Sequence, residues 1–185
     1  MRERILLHIC CAPDATTAIE RLHEKFQVIG FFPNSNIQPF EEYQKRKAAV
    51  DILKGYYHID TIDGPYNPSR WQEAMKGLER LKEGGPRCRK CIYLNLFETA
   101  KTAKANHIRF FTTSLMTSPH KDADWIKTAG QSIEKKSGVH YHHEVFRKKD
   151  GFLNSVQKSK KIGLYRQNYC GCEYSIYDKD GDERS

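Results

Sequence analysis

The residues able to do chemistry in this chain are its cysteines. There are six, and all fall in close pairs: Cys10-Cys11, Cys88-x-x-Cys91 and Cys170-Gly171-Cys172. Cysteines that only fill a core scatter along a sequence, so this pairing points to thiols that act together. Disulfides suit it poorly. Adjacent or next-but-one cysteines give a strained S–S bond, and the chain reads as cytoplasmic, where thiols stay reduced. Ligation of a metal by thiolates is the leading reading. A structural zinc takes four ligands, commonly from two C-x-x-C-like knuckles. Here one pair has that spacing, six thiolates exceed one tetrahedral site, and Asp14 lies three residues beyond Cys11. Neighbours on an extended chain point opposite ways, so Cys10 and Cys11 can serve different centres. Gly171 lets Cys170 and Cys172 face the same way. Cys88 and Cys91 sit at an expected helix start, where the helix dipole and Arg87, Arg89 and Lys90 favour thiolates. Two adjacent metal centres would use every ligand, and an iron–sulfur cluster beside a single metal is the simplest such pair.

The elements that must hold these cysteines follow from hydrophobic patterning. Ile5 to Ile9 is a short apolar run that reads as a buried strand ending at the first cysteine pair. Thr16 and Thr17 offer caps for a helix through Phe26, and Gln27 to Phe32 forms a second strand. Further helices are expected over Glu41–Gly55, Ser69–Leu81, Cys88–Asn106, Asp122–Ser137 and Ser155–Lys161, with strands at Tyr57–Ile62, Arg109–Ser114 and Val139–Phe146. Strands alternating with helices imply βαβ units: an α/β domain whose mostly parallel sheet is flanked by helices. Sites in such sheets lie beyond the carboxyl ends of the strands, where Cys10 and Cys11 fall. One domain is expected over residues 1–176, with a disordered tail over 177–185.

Composition sets the outer bounds. With 185 residues and 38% hydrophobic content the chain can bury a core without disulfides. Its apolar runs, such as Ile5-Leu6-Leu7, fall far short of the ~20 residues of a membrane span, and the start has no signal-peptide pattern. A cytoplasmic protein with no membrane contact is expected. The net charge of +8 suits a phosphate-rich partner. Basic residues cluster at Lys45-Arg46-Lys47, Arg147-Lys148-Lys149, Lys158–Lys161 and Arg166, interleaved with Tyr43, Tyr93, Tyr165 and Tyr169. A splayed RNA base needs such stacking faces and phosphate clamps, although solvated helix faces account for at least half of these charges.

Several stretches resemble one family: Leu6 to Pro13, Pro33-Asn34-Ser35-Asn36-Ile37-Gln38-Pro39 with Glu42-Tyr43, Arg87 to Cys91, Thr112 to Leu115 with Ser118-Pro119, and Gly163 through Tyr169-Cys170-Gly171-Cys172. Together they are similar to the cobalamin-independent epoxyqueuosine reductases, the QueH family, in consistent order from about residue 5 to residue 175. The resemblance implies a Rossmann-like, nucleotide alpha-hydrolase-like fold of the HUP type. It implies an oxidoreductase that reduces epoxyqueuosine in the tRNA anticodon loop to queuosine, the last step of queuosine biosynthesis. It also implies a [4Fe-4S] cluster, an additional iron ion and an electron donor of unknown identity. Cys10, Asp14, Cys88 and Cys91 are expected on the cluster, and Cys11, Cys170 and Cys172 on the lone iron as catalytic residues. Asn34, Asn36, Tyr43, Tyr165 and Arg166 are expected to meet the substrate. Where this chain has Asp14, family members often carry a further cysteine, and a carboxylate is the harder ligand.

Other features carry less. His140, His142 and His143 lie on an expected strand where only the first two share a face. His8 reads as a satisfied core histidine. Asp178-Lys179-Asp180-Gly181-Asp182 resembles a calcium loop with its glycine two positions early. No G-x-x-x-x-G-K-[ST] or G-x-G-x-x-G occurs, which leaves nucleotide hydrolysis unsupported. Two alternatives stand beside the reductase: a tRNA sulfur-transfer enzyme on a related fold, and a zinc-stabilised RNA-binding module without redox chemistry.

Overall fold

The fold is built around a strand that can only be central. Ile5, Leu6 and Leu7 have no exposed surface on either face of β1 (Glu3–His8), the signature of a parallel strand covered on both sides. The computed structural model describes residues 2–177, so the expected tail motif from Asp178 lies outside the described residues. The order is β1, α1 (Ala12–His23), β2 (Phe26–Phe32), α2 (Phe40–Tyr57), β3 (Asp60–Asp63), α3 (Pro68–Met75), α4 (Pro86–Ala105), β4 (Phe110–Thr113), a 3₁₀ turn (Ser114–Thr117), α5 (Ala123–Ser137), β5 (His140–Tyr141), α6 (Gly151–Ile162) and α7 (Glu173–Tyr177). The five strands are all parallel, in the order β3-β2-β1-β4-β5. Leu7 is in register with Gly30 on one side and Thr112 on the other. Helix α1 packs against α2 and α6, and α4 against α5, so two helical layers enclose the sheet.

Element boundaries move for local reasons. Helix α1 begins directly after Cys11, with Pro13 in its first turn, where a missing N–H costs nothing. Thr16 and Thr17 therefore lie inside the helix, buried, donating to Pro13 O and Gly151 O. Helix α2 runs through Gly55 and ends only where His58 turns left-handed (φ 51°), which delays β3 to Asp60. Helix α3 stops at Met75, well short of Leu81, where Lys76 leaves the helical region (ψ 129°) and Gly77 follows with a φ of 81°. Strand β5 spans two residues; His142 N still donates to Phe111 O before the chain leaves the sheet.

The connection reverses between β1 and β4, whose neighbours lie on opposite sides of the sheet. This is the switch point where open α/β sheets place their sites. Cys10, just after β1, lines that crevice, and the buried Ser114, just after β4, stands beside it.

Candidate metal centre

Cys10 and Cys11 inherit their places from β1 and α1. Cys10 N donates to Ser114 Oγ at 3.1 Å, and Cys10 Sγ lies 3.3 Å from the same hydroxyl, which pins the end of β1 to the turn after β4. Cys11 is the extended residue from which α1 springs, and Asp14 sits in the first turn. Both therefore face the positive end of the helix dipole. The Cys10 and Cys11 sulfurs are 3.9 Å apart, and with an Asp14 carboxylate oxygen they lie within 4.8 Å of one another. The hydrogen bond from Cys11 pulls the Cys10 thiol below its ordinary value; the same bond, then burial and the Asp14 charge, push Cys11 well up. Burial raises the Asp14 carboxyl, opposed chiefly by the Arg166 charge.

A second set gathers across the crevice from the start of α4 and the arm before α7. Each of three thiols has its own donor: Gly84 N to Cys88 Sγ at 3.2 Å, the Trp71 indole to Cys91 Sγ at 3.3 Å, and Lys121 Nζ to Cys170 Sγ at 3.3 Å. Burial and then the Cys170 charge drive Cys91 far upward, and burial pushes Cys170 up to about 11. Cys172 is raised by burial and by Cys88. These thiols face each other closely enough to resist joint ionisation, and a bound cation removes that resistance. All six cysteines are free, and soft thiolates suit iron–sulfur or zinc chemistry. The donor set fits a metal.

The cysteine arm is held by a buried arginine. Arg46, 2% exposed, donates to Glu42 Oε1 at 2.7 Å, Cys170 O at 3.0 Å and Tyr169 O at 3.1 Å. Gln38 N donates to Gly171 O at 2.8 Å. Gly171 has a φ of 129°, and a Cβ there would stand 2.9 Å from Arg46 Nη1, so this turn requires glycine.

Both sets open on one cavity of about 570 Å³, within the range of ligand pockets. Cys10, Asp14, Cys88, Cys91, Cys170 and Cys172 line it; Cys11 is 1% exposed behind them. The sequence reading grouped Cys11 with Cys170 and Cys172, whereas the described side chains set Cys11 beside Cys10 and Asp14. Arg166, Asn34 and Asn36 line the cavity. Both asparagines are buried and engaged: Asn34 Nδ2 donates to Ile9 O, and Asn36 Oδ1 accepts from Asn95. Tyr165 donates instead to Glu42 Oε2 at 2.7 Å, and Tyr43 joins an aromatic cluster outside the cavity. His8 is fully buried between Thr113 Oγ1 and Asn34 Oδ1, and burial lowers it to about 4, so it is a neutral core histidine. His140 and His142 pair with Glu134 and Glu144. Lys121 and Trp71 escaped the sequence reading, and Ser114 entered it only within the stretch Thr112 to Leu115, without a role. Lys121 and Ser114 follow β4, the other strand of the switch point, which was the available signal.

The model of the family described as epoxyqueuosine reductase QueH matches residues 5–178. The epoxyqueuosine reductase QueH of Thermotoga maritima is 38% identical over 179 residues, covering 95% of this chain and 91% of that protein. Those of Streptococcus pyogenes serotype M1 and Staphylococcus aureus are 33% and 32% identical, and this chain covers 71% and 79% of their lengths. Among solved structures, the U34-tRNA thiolase NcsA from Methanococcus maripaludis with its [4Fe-4S] cluster aligns with a TM-score of 0.58 at 13% identity. That alignment covers 97% of this chain and 64% of the thiolase. It shows the fold to be nucleotide alpha-hydrolase-like. Among the described residues no helix is long and apolar enough to cross a membrane.

Proposed function

The chain belongs to the epoxyqueuosine reductase QueH family, and from that premise we propose that its cavity reduces the epoxide of epoxyqueuosine in tRNA to the cyclopentene of queuosine. The observation that carries this reading is the pair of thiol sets opening on one cavity at the sheet's switch point. Removing the epoxide oxygen takes two electrons and two protons and releases water. No side chain is a good reductant of this kind. Cys88, Cys91, Cys170 and Cys172 would hold a [4Fe-4S] cluster, and Cys10, Cys11 and Asp14 an additional iron. This grouping revises the sequence expectation and rests on the 4.8 Å spread of the Cys10, Cys11 and Asp14 ligand atoms. When bound, such centres supply single electrons and a Lewis acid for the epoxide oxygen.

The protein's own groups bind and orient. Lys121 keeps its proton at Nζ: burial opposes the charge, but Cys170 and Glu83 outweigh it and raise the amine. That fixed ammonium faces the cavity, where it stabilises negative charge developing on the departing oxygen. Arg166, exposed at the rim, provides a clamp for a phosphate or a polar base edge. Asn34 and Asn36, held by their own hydrogen bonds, give the base a rigid wall. An electron donor and the tRNA anticodon loop complete the reaction.

Anaerobic purification tests the centre. About four sulfides and four to five irons per chain are expected, with a brown colour. Cys88→Ser and Cys170→Ser should both lose the colour, whereas Cys11→Ser and Asp14→Asn should keep it and lose turnover. Stoichiometric zinc without sulfide would overturn the reading in favour of a structural RNA-binding module.

A further inference from the structure

Outside the cavity, three aromatic rings form an open face that the chemistry above does not use. Phe40 and Tyr43 stack at 6.1 Å with planes 14° apart, Phe40 and Tyr66 are 5.5 Å apart, and Tyr43 and Tyr66 3.9 Å. The buried Phe32 backs Tyr43 at 5.4 Å, while Phe40 is 51% exposed. Phe40 and Tyr43 lie in the first turn of α2, and Tyr66 in the loop after β3. All three therefore stand at the carboxyl edge of the sheet, the edge that carries the cysteines.

The face is also tied to the cysteine arm. Tyr66 OH donates to Ile37 O at 2.9 Å. Ile37 Cγ1 lies 3.2 Å from where a Cβ on Gly171 would stand, between Cys170 and Cys172, and Gln38 N bonds Gly171 O. Ser35 braces the underlying loops, accepting from Asn67 N and donating to Pro65 O at 3.0 Å each. One strut thus carries the ring face on one side and the cysteine turn on the other.

We propose that the Phe40–Tyr43–Tyr66 face stacks an unpaired base of the RNA substrate, next to the nucleotide held in the cavity. The proposal rests on the RNA reading above. A nucleobase is the occupant that fits: every base offers a π face to an aromatic side chain, and a base taken into the cavity leaves its loop neighbours unstacked. The face and the cysteine turn share the carboxyl edge of the sheet and are joined through the buried Ile37 and Gly171. Its nearest cation, Lys47, one turn beyond Tyr43, is already paired with Asp51 at 3.2 Å and Asp63 at 3.0 Å. That lysine is committed, and the Glu41 carboxylate stands near Tyr66, so the rings rather than a phosphate clamp would make the contact; its loss should weaken binding without changing the salt dependence, which counts phosphate contacts.

The test is fluorescence anisotropy with a labelled tRNA anticodon stem–loop, and with a blunt duplex of the same stem, against metal-loaded protein. Phe40→Ala and Tyr66→Ala should weaken stem–loop binding about tenfold, the scale of one lost base–aromatic stack. The slope of log affinity against log salt and the affinity for the duplex should stay unchanged. Phe40→Trp should bind at least as tightly as the native protein. Circular dichroism melts verify the fold of each variant; Phe40 is half-exposed, so its removal leaves the core intact. Native affinity in Phe40→Ala, or equal losses on stem–loop and duplex, overturns the stacking face while leaving the RNA reading standing. A change in oligomeric state with RNA binding untouched also overturns it, assigning the face to a second copy of the chain. If the native protein shows no preference for the stem–loop, the RNA reading itself falls and the proposal falls with it.

Discussion

Replacing Arg46 with alanine should destabilise the protein and loosen its cysteine arm. The guanidinium sits 2% exposed between helix α2 and the cysteine arm, with Glu42 Oε1 at 2.7 Å and two arm carbonyls, Tyr169 O and Cys170 O, at 3.1 and 3.0 Å. Removing it leaves the Glu42 carboxylate buried with Tyr165 OH as its remaining donor and strips both carbonyls of a charged partner. Breaking a buried pair from one side costs about 3–5 kcal/mol, while hydrogen bonds to a charged group contribute about 1.5–3 kcal/mol each. These contributions overlap, so a loss of about 4 kcal/mol is expected, or roughly 10 °C in melting temperature for a chain of this size. Arg46→Lys keeps the charge without the fork and should lose about half as much. Arg46→Met combined with Glu42→Gln should recover stability relative to Arg46→Ala, because no charge is left stranded. Urea unfolding with constant slope gives the free energies, and iron content of the folded fraction reports the arm. If Arg46→Ala stays within about 1 kcal/mol of the native protein and keeps its iron, the arm is held by something else.

Other perturbations separate the site from the scaffold. Gly171→Ala places a methyl 2.9 Å from Arg46 Nη1 at a φ of 129°; it should cost about 1–3 kcal/mol and lower iron occupancy, both measurable on one purified sample. Trp71→Phe removes the N–H that reaches Cys91 Sγ at 3.3 Å; hydrogen bonds to sulfur set cluster potentials, so the midpoint should fall in a redox titration while iron and sulfide content hold. Gly130→Ala drives a Cβ to 2.4 Å from the Tyr141 ring, in the packing of α5 on β5. Overpacking of about 1–3 kcal/mol should appear in melting temperature with the visible spectrum unchanged.

Much of this arrangement was legible in the chain, and the reasons differ by residue. The cysteines could be read because pairing along the sequence survives folding: Cys88 and Cys91 share one helical turn, and Cys170 and Cys172 one tight loop. The parallel sheet could be read because β1 is apolar on both faces. The grouping of the thiols could not be read, because the alternation that separates Cys10 from Cys11 in an extended chain ends where Cys11 starts α1 and the carboxylate of Asp14 folds back beside it. Lys121 and Trp71 were invisible for another reason: each meets its cysteine across 49 or 20 residues of sequence, a proximity that only the fold creates. Arg46 read as one member of a basic cluster, yet its charge is spent inside the protein on Glu42 and two carbonyls.

The most direct test of the central claim is the mass of the nucleosides released from epoxyqueuosine-bearing tRNA after incubation with anaerobically loaded protein and dithionite. The account predicts loss of one oxygen, giving queuosine, in native protein and in Lys179→Ala, with sharply reduced conversion in Lys121→Ala and Arg166→Ala. Unchanged epoxyqueuosine in protein shown to carry its iron and sulfide would contradict it.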